Sequence, residues 1–152
     1  MRIAFGCDHA AITIKDKIVS YLRNRGLDVS DFGCSAPQGC DYTDIAAQVA
    51  SLVSTGKSDR GILICGTGVG MSIAANKFPG VRAGVCWSDD IARLVSEHNN
   101  ANILCMPARF STVDQITRWI DIWLATPFSP EERHRRRVNK ITLLEKRSTS
   151  GC

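Results

Sequence analysis

The stretch Ile62-Leu63-Ile64-Cys65-Gly66-Thr67-Gly68-Val69-Gly70-Met71 runs an apolar segment into a cysteine and then sets glycine at every second position. From Gly61 to Cys65 there is no alternation of apolar and polar residues, which is the pattern of a strand covered on both faces. The glycines let backbone N–H groups come close to a ligand, and a helix that starts on such a loop favours negative charge at its first turn. In open parallel sheets ligands bind beyond the carboxyl ends of the strands, where Cys65 falls. The predicted guest is an anion.

Short apolar strands and amphipathic helices alternate on either side of this unit. Residues 2–6 read as a first strand, and Ala11, Ile14, Ile18 and Leu22 then recur at helical spacing up to a stop at Gly26. Leu27 to Phe32 reads as a second strand, and Ile45, Val49, Leu52 and Val53 mark a helix closed by Gly56. After the glycine loop a helix ends near Pro79, and Val81 to Cys86 forms the next strand. Ser88, Asp89 and Asp90 make a helix start, because short polar and acidic side chains satisfy free backbone N–H groups. Ile103 to Met106 is the last strand. Val113, Ile116, Ile120 and Trp123 give another helix, and Pro127 and Pro130 separate it from a final helix over 131–147. Five strands with helices between them predict an α/β, doubly wound, Rossmann-like parallel sheet with helices on both faces. One domain over 1–147 is expected, with a loose tail at 148–152.

With 44% hydrophobic and 22% charged residues the composition is that of a soluble protein, and no apolar run is long enough for a membrane span. No signal peptide is evident, so the expected location is the cytoplasm. The seven cysteines are an odd number without a C-x-x-C pair, a pattern that suits reduced, buried thiols better than a disulfide framework or a zinc site. The net charge of +4 is mild, and much of the excess lies in the cluster Arg133-His134-Arg135-Arg136-Arg137. No aromatic platform accompanies that cluster, which argues against nucleic acid.

The loop is not a dinucleotide fingerprint: G-x-G-x-x-G needs a glycine where Met71 stands, and the loop follows the third strand, not the first. It is not a P-loop either, because no Gly-Lys-Ser or Gly-Lys-Thr follows. Cys65 itself has two readings. A thiol at a strand end is commonly packing, whereas a thiol facing a helix start has its thiolate favoured and is a candidate nucleophile or base. His98 reads either as a residue favoured at a helix end or as an acid–base group. Asp8, at the end of the first strand beside Cys7 and His9, lacks the second ligand pair a metal site requires and reads as a hydroxyl acceptor.

The segments AFGCDHA (4–10), CDYTDIAAQVA (40–50), GILICGTGVGMSIAANKFPGVRAGVC (61–86) and SEHNNANIL (96–104), followed by Arg109 and RHRRRV (133–138), resemble the type B ribose-5-phosphate isomerase family in order and over nearly the whole chain. Its wider relatives include allose-6-phosphate isomerases and the subunits of galactose-6-phosphate isomerase. The resemblance implies interconversion of D-ribose 5-phosphate and D-ribulose 5-phosphate through an enediolate, without metal or cofactor. By resemblance Cys65 is the carbon base, Thr67 bridges the two substrate oxygens, and Gly66, Gly68, Val69 and Gly70 supply backbone N–H groups to the anion. His98 corresponds to the ring-opening residue, with Tyr42 and Asp8 assisting and Asn99 holding a sugar hydroxyl. His9, Arg109, Arg133 and Arg137 match phosphate-binding positions, and arginine suits that role because its fork donates paired hydrogen bonds. On a helix Arg133 and Arg137 share one side and Arg135 points away. The family's late arginines come from a neighbouring subunit, which implies that the C-terminal helix reaches a partner in a homodimer, with a tetramer as a further assembly. Ala11, Thr43 and Pro107 stand where the family often has glycine, proline and glycine, and Pro107 bears on the loop that presents Arg109. The alternatives are an isomerase of an aldohexose 6-phosphate such as allose 6-phosphate, and a phosphosugar sensor without turnover.

Overall fold

The computed structural model describes residues 1–36 and 40–149, the side chains of the last helix as far as Glu145. Five strands form one parallel sheet: β1 (Arg2–Cys7), β2 (Asp28–Asp31), β3 (Arg60–Cys65), β4 (Ala83–Val85) and β5 (Ile103–Pro107), in the order β2-β1-β3-β5-β4. Between and after them lie α1 (Ile12–Asn24), α2 (Tyr42–Ser54), α3 (Val69–Ala75), α4 (Asp89–Glu97), α5 (Val113–Ala125) and α6 (Glu132–Thr149). The chain first winds from β1 outward to β2, then returns to the other side of β1 with β3. That reversal opens a crevice at the carboxyl ends of β1 and β3.

The unbroken apolar runs of the central strands are explained by what covers them. Ile3, Phe5, Ile62, Ile64, Leu104 and Met106 face one layer, packed with residues of α1, α4 and α5. Ala4, Leu63, Cys65, Ile103 and Cys105 face the other, packed with α2 and α3. Alternate residues thus serve opposite cores, and neither face reaches water. Trp123 of α5 is fully buried and satisfies its indole N–H on the Ala101 carbonyl at 3.1 Å. Helix starts follow the expected chemistry. The Ser88 hydroxyl accepts from the Ile91 N–H at 3.3 Å, the Asp41 carboxylate from the Thr43 N–H at 3.0 Å, and Thr112 forms a reciprocal capping box with Gln115.

Two elements differ most from the sequence reading. The fourth strand is Ala83–Val85, not 81–86, because it lies at the sheet edge with β5 alone beside it. Val81 there belongs to a turn on Phe78, and the Arg82 N–H bonds the Asn102 side chain. The last helix runs to Thr149, two residues into the expected tail, and residues 150–152 lie outside the described part. α6 buries His134 and Val138 and leaves Ile141, Leu143 and Leu144 exposed. Among the described residues no helix is long and apolar enough to cross a membrane.

Candidate active site

Three neighbouring strand ends build the site. The Asp8 N–H, just past β1, donates to the Ile64 carbonyl of β3 at 3.1 Å, and the Arg109 N–H, just past β5, donates to the Gly66 carbonyl at 3.2 Å. Cys65 is paired across β3 and β5 with Pro107. Asp8, Cys65 and Arg109 are therefore set side by side by sheet register, before any side chain is considered. Pro107 ends β5 and leaves Arg109 seated on the glycine loop.

Each glycine of the loop admits a different neighbour. Gly68 has φ +77°, a left-handed conformation, and a Cβ there would stand 3.2 Å from the backbone of Cys105 and Met106. At this bend the Gly68 N–H donates to the Cys65 sulfur at 3.1 Å. At Gly70 a Cβ would meet the Tyr42 ring at 2.7 Å, and at Gly66 it would meet the Arg109 guanidinium nitrogen Nε at 3.2 Å. The alternating glycines thus admit a phenol and a guanidinium to the loop that follows the thiol, with the folded backbone itself on the sulfur. The Thr67 hydroxyl is exposed and accepts from the Val69 N–H at 3.4 Å.

Cys65 is 5% exposed. The other free cysteines of the described residues, Cys7, Cys86 and Cys105, are packed inside the two cores. Burial pushes the Cys7 thiol up to about 12, the Cys86 thiol up to about 11, and the fully buried Cys105 thiol higher again. These three are packing groups.

Beside the strand ends a cleft of about 430 Å³ is lined by Asp8, His9, Cys40, Asp41 and Tyr42. Asp8 is nearly buried and accepts from the Ala10 N–H at 2.9 Å, while His9 is exposed. Asp41 was not singled out from sequence. Hydrogen bonds from the backbone and hydroxyl of Thr43 hold its carboxyl below the usual carboxylate range. Cys40 corrects the expectation of reduced thiols throughout: it is joined to Cys34 by a disulfide with Cα atoms 5.9 Å apart. The Cys34 N–H is anchored on the Cys7 carbonyl, and the bridge joins two cysteines whose sequence spacing carries no such signal. Among the described residues no three His, Cys, Asp or Glu side chains gather as a metal site.

The remaining expected residues form a second group at the opposite end of the strands. α4 leaves the carboxyl end of β4 and returns antiparallel to the strands, so His98 and Asn99 at its end lie near the amino ends of the strands. Asn102, a few residues on, receives the Gly61 N–H at the start of β3 and donates to the Arg82 carbonyl before β4. From Arg60 to Cys65 the strand is about 16 Å long. Arg133 and Arg137 belong to this second group, on the exposed side of α6, and Arg133 Nε pairs with Glu131 at 2.7 Å. His98 stacks on His134, ring centroids 4.1 Å apart and planes 12° from parallel. His134 was missed in the sequence reading. Its signal is its spacing of four from Val138, which makes one buried stripe of an otherwise exposed helix. Asp8, His9, Tyr42, Cys65, Gly66, Thr67, Gly68, Val69, Gly70 and Arg109 thus gather in one place, and His98, Asn99, Arg133 and Arg137 in another.

Residues 3–141 match the family model described as Ribose/Galactose Isomerase. The chain belongs to the ribose/galactose isomerase family. Among members of that family, it is 44% identical to ribose-5-phosphate isomerase B of Escherichia coli over 96% of this chain and 97% of the relative. Its fold is similar to that of ribose-5-phosphate isomerase B of Clostridium thermocellum, with a TM-score of 0.93, 44% identity and coverage of 97% and 99% of the two chains. It is also similar to ribose-5-phosphate isomerase B of Mycoplasma genitalium, solved with bound ribulose-5-phosphate, with a TM-score of 0.90, 39% identity and coverage of 95% and 96%.

Proposed function

We propose that this chain interconverts D-ribose 5-phosphate and D-ribulose 5-phosphate, in sites each assembled from two copies of the chain. The observation that carries the reading is the Cys65 sulfur at the end of β3, held by the Gly68 N–H inside a loop of further backbone donors. A carbon base and an anion-stabilising loop adjacent in sequence suit the transfer of a proton between neighbouring carbons. The likeness to a family member solved with ribulose-5-phosphate supports the choice of sugar.

The substrate enters as a furanose. Opening it requires the anomeric hydroxyl to lose its proton, the bond between C1 and the ring oxygen to break, and that oxygen to gain a proton. His98 acts as the proton donor, with Tyr42 and Asp8 on the hydroxyls and Asn99 holding the sugar. Cys65, as thiolate, then takes the proton from C2. The electron pair left behind forms the C1–C2 double bond of an enediolate, whose oxygens are held by Thr67 and by the N–H groups of Gly66, Gly68, Val69 and Gly70. The hydroxyl proton passes from O2 to O1, between the two oxygens that Thr67 bridges, and return of the carbon proton to C1 gives the ketose. The phosphate is held by His9, Arg109, Arg133 and Arg137.

The two-copy arrangement follows from the separation of the two groups of residues. His98 and Cys65 of one chain lie at opposite ends of the strands, about a strand length apart, which supports a site whose His98 group comes from a second chain. The exposed side of α6, with Arg133 and Arg137, supports its role as the arm that reaches the partner. Val69, Ile73 and Phe110, 50%, 59% and 74% exposed beside the site, supply apolar surface for such a contact. A homodimer is the smallest assembly that completes both sites, and the cytoplasm, where pentose phosphates are turned over, is the proposed location.

Complementation tests both parts. Cys65→Ala and His98→Asn chains are each expected to be nearly inactive alone. Refolded together in equal amounts they should regain about one quarter of the wild-type sites, since half the dimers are mixed and each mixed dimer has one intact site. No recovery, with mixed dimers seen by native mass spectrometry, would put both groups in one chain's site. A kcat/KM for allose 6-phosphate above that for ribose 5-phosphate would transfer the activity to the hexose.

A further inference from the structure

We propose that His134 is the positioning residue for His98: its ring lies flat beneath the His98 ring and sets the plane in which His98 delivers its proton during ring opening. The proposal rests on the reading of His98 given above.

The two rings belong to different elements, His98 to the end of α4 and His134 to the first turn of α6 as its third residue, so their overlap is a tertiary contact. With centroids 4.1 Å apart and planes within 12° they are stacked. The His134 ring is 3% exposed, and its Nε2 has no hydrogen-bond partner. It is therefore held by packing and by its face on His98, and orientation by a hydrogen bond through Nε2 is absent. Its backbone is fixed by the N–H bond to the Glu131 carbonyl at 3.0 Å, and the adjoining turn is fixed to α4 by the Ser129 N–H on the Glu97 carbonyl at 2.9 Å. His98 has no such enclosure. It is half-buried at a helix end, and the chain turns sharply two residues later at Asn100, whose φ is +48°. A ring in that position needs an external surface to define its plane.

The charges around His134 suit the role. Burial disfavours its protonated form, and His98, Arg133 and Arg137 reinforce this, with Glu131 alone opposing. A neutral ring offers its π-face to a protonated His98, which an imidazolium would repel. The stacked face, not the nitrogens, is thus the functional part.

The test compares two substrates on the same enzyme: ribose 5-phosphate, which must be opened, and 4-deoxy-D-ribose 5-phosphate, which lacks the ring-closing hydroxyl and stays acyclic. Their ratio of kcat/KM is independent of how much protein is folded. His134→Leu is expected to lower this ratio about 10- to 100-fold, with His134→Phe within about 3-fold of the wild type and His134→Gln behaving like the leucine variant. An unchanged ratio in His134→Leu, or a ratio kept by glutamine and lost by phenylalanine, overturns the proposal. His98→Asn separates the two levels. If it too leaves the ratio unchanged, the assignment of ring opening to His98 fails and His134 falls with it. If it collapses the ratio while His134→Leu does not, the positioning role alone is wrong.

Discussion

The Gly68 N–H donates to the Cys65 sulfur at 3.1 Å, and the same Gly68 is left-handed with φ +77°, the bend that leads from this donor into α3. Two constraints meet at this glycine, since a side chain would be strained by the backbone angle and would crowd the backbone of β5. Gly68→Ala should therefore move the N–H off the sulfur and disturb the donors that follow. The expected loss in kcat is roughly 10²- to 10³-fold, the size seen when one preorganised donor to a developing anion is removed. Steady-state kinetics beside a thermal melt would check it; a folded alanine variant with kcat within a few-fold of the wild type would contradict the role of the bend.

Cys65→Ala removes the proposed base without touching the phosphate ligands. Turnover of ribose 5-phosphate is expected to fall by at least about 10²- to 10⁴-fold while calorimetry still detects binding. Retained turnover would dismiss the thiol as base, and lost binding would assign it to substrate recognition.

The Cys34–Cys40 bridge closes a short loop against the cleft that holds Asp41 and Tyr42. Replacing both cysteines by serine should lower stability by about 2 kcal/mol, the loop-closure value for so short a segment, and the melting temperature by roughly 4–8 °C. Non-reducing peptide mapping should find the two cysteines in one linked peptide before any variant is made.

The core thiols make a prediction about alkaline pH. Their ordinary value is near 9, and burial raises Cys7 to about 12 and Cys86 to about 11 in the folded chain. Between those limits the unfolded chain has lost protons that the folded chain keeps. Stability is thus full below pH 9 and declines as pH rises from 9 toward 11 and 12. Denaturant titrations at pH 8, 9.5 and 10.5 should show falling midpoints, and replacing Cys7 by alanine should flatten the fall.

Much of this was legible in the sequence because the decisive features are local. The apolar run, the cysteine and the glycines of 62–71 specify a strand, a bend and a helix start within ten residues, and the structure contains all three. β4 was read too long because composition does not say which strand lies at an edge with one neighbour. The disulfide was missed because Cys34 and Cys40 meet through the path of a loop, which spacing does not encode. The separation of His98 from Cys65 was available in principle: a helix that follows one parallel strand must return to the amino ends of the strands before the next begins, so a residue at its end lies a strand length from the carboxyl ends. Motif matching names residues in order and leaves that geometry out.

The donor that Gly68 offers the sulfur belongs to the main chain. No side chain other than the proline ring can delete it, and none can replace it with a different functional group, so most mutations reach it only by reshaping the bend. The thiol's chemistry is consequently tied to the curvature of five residues, and variants of this chain that alter substrate choice are expected to carry their changes on the cleft walls, leaving that curvature as it is.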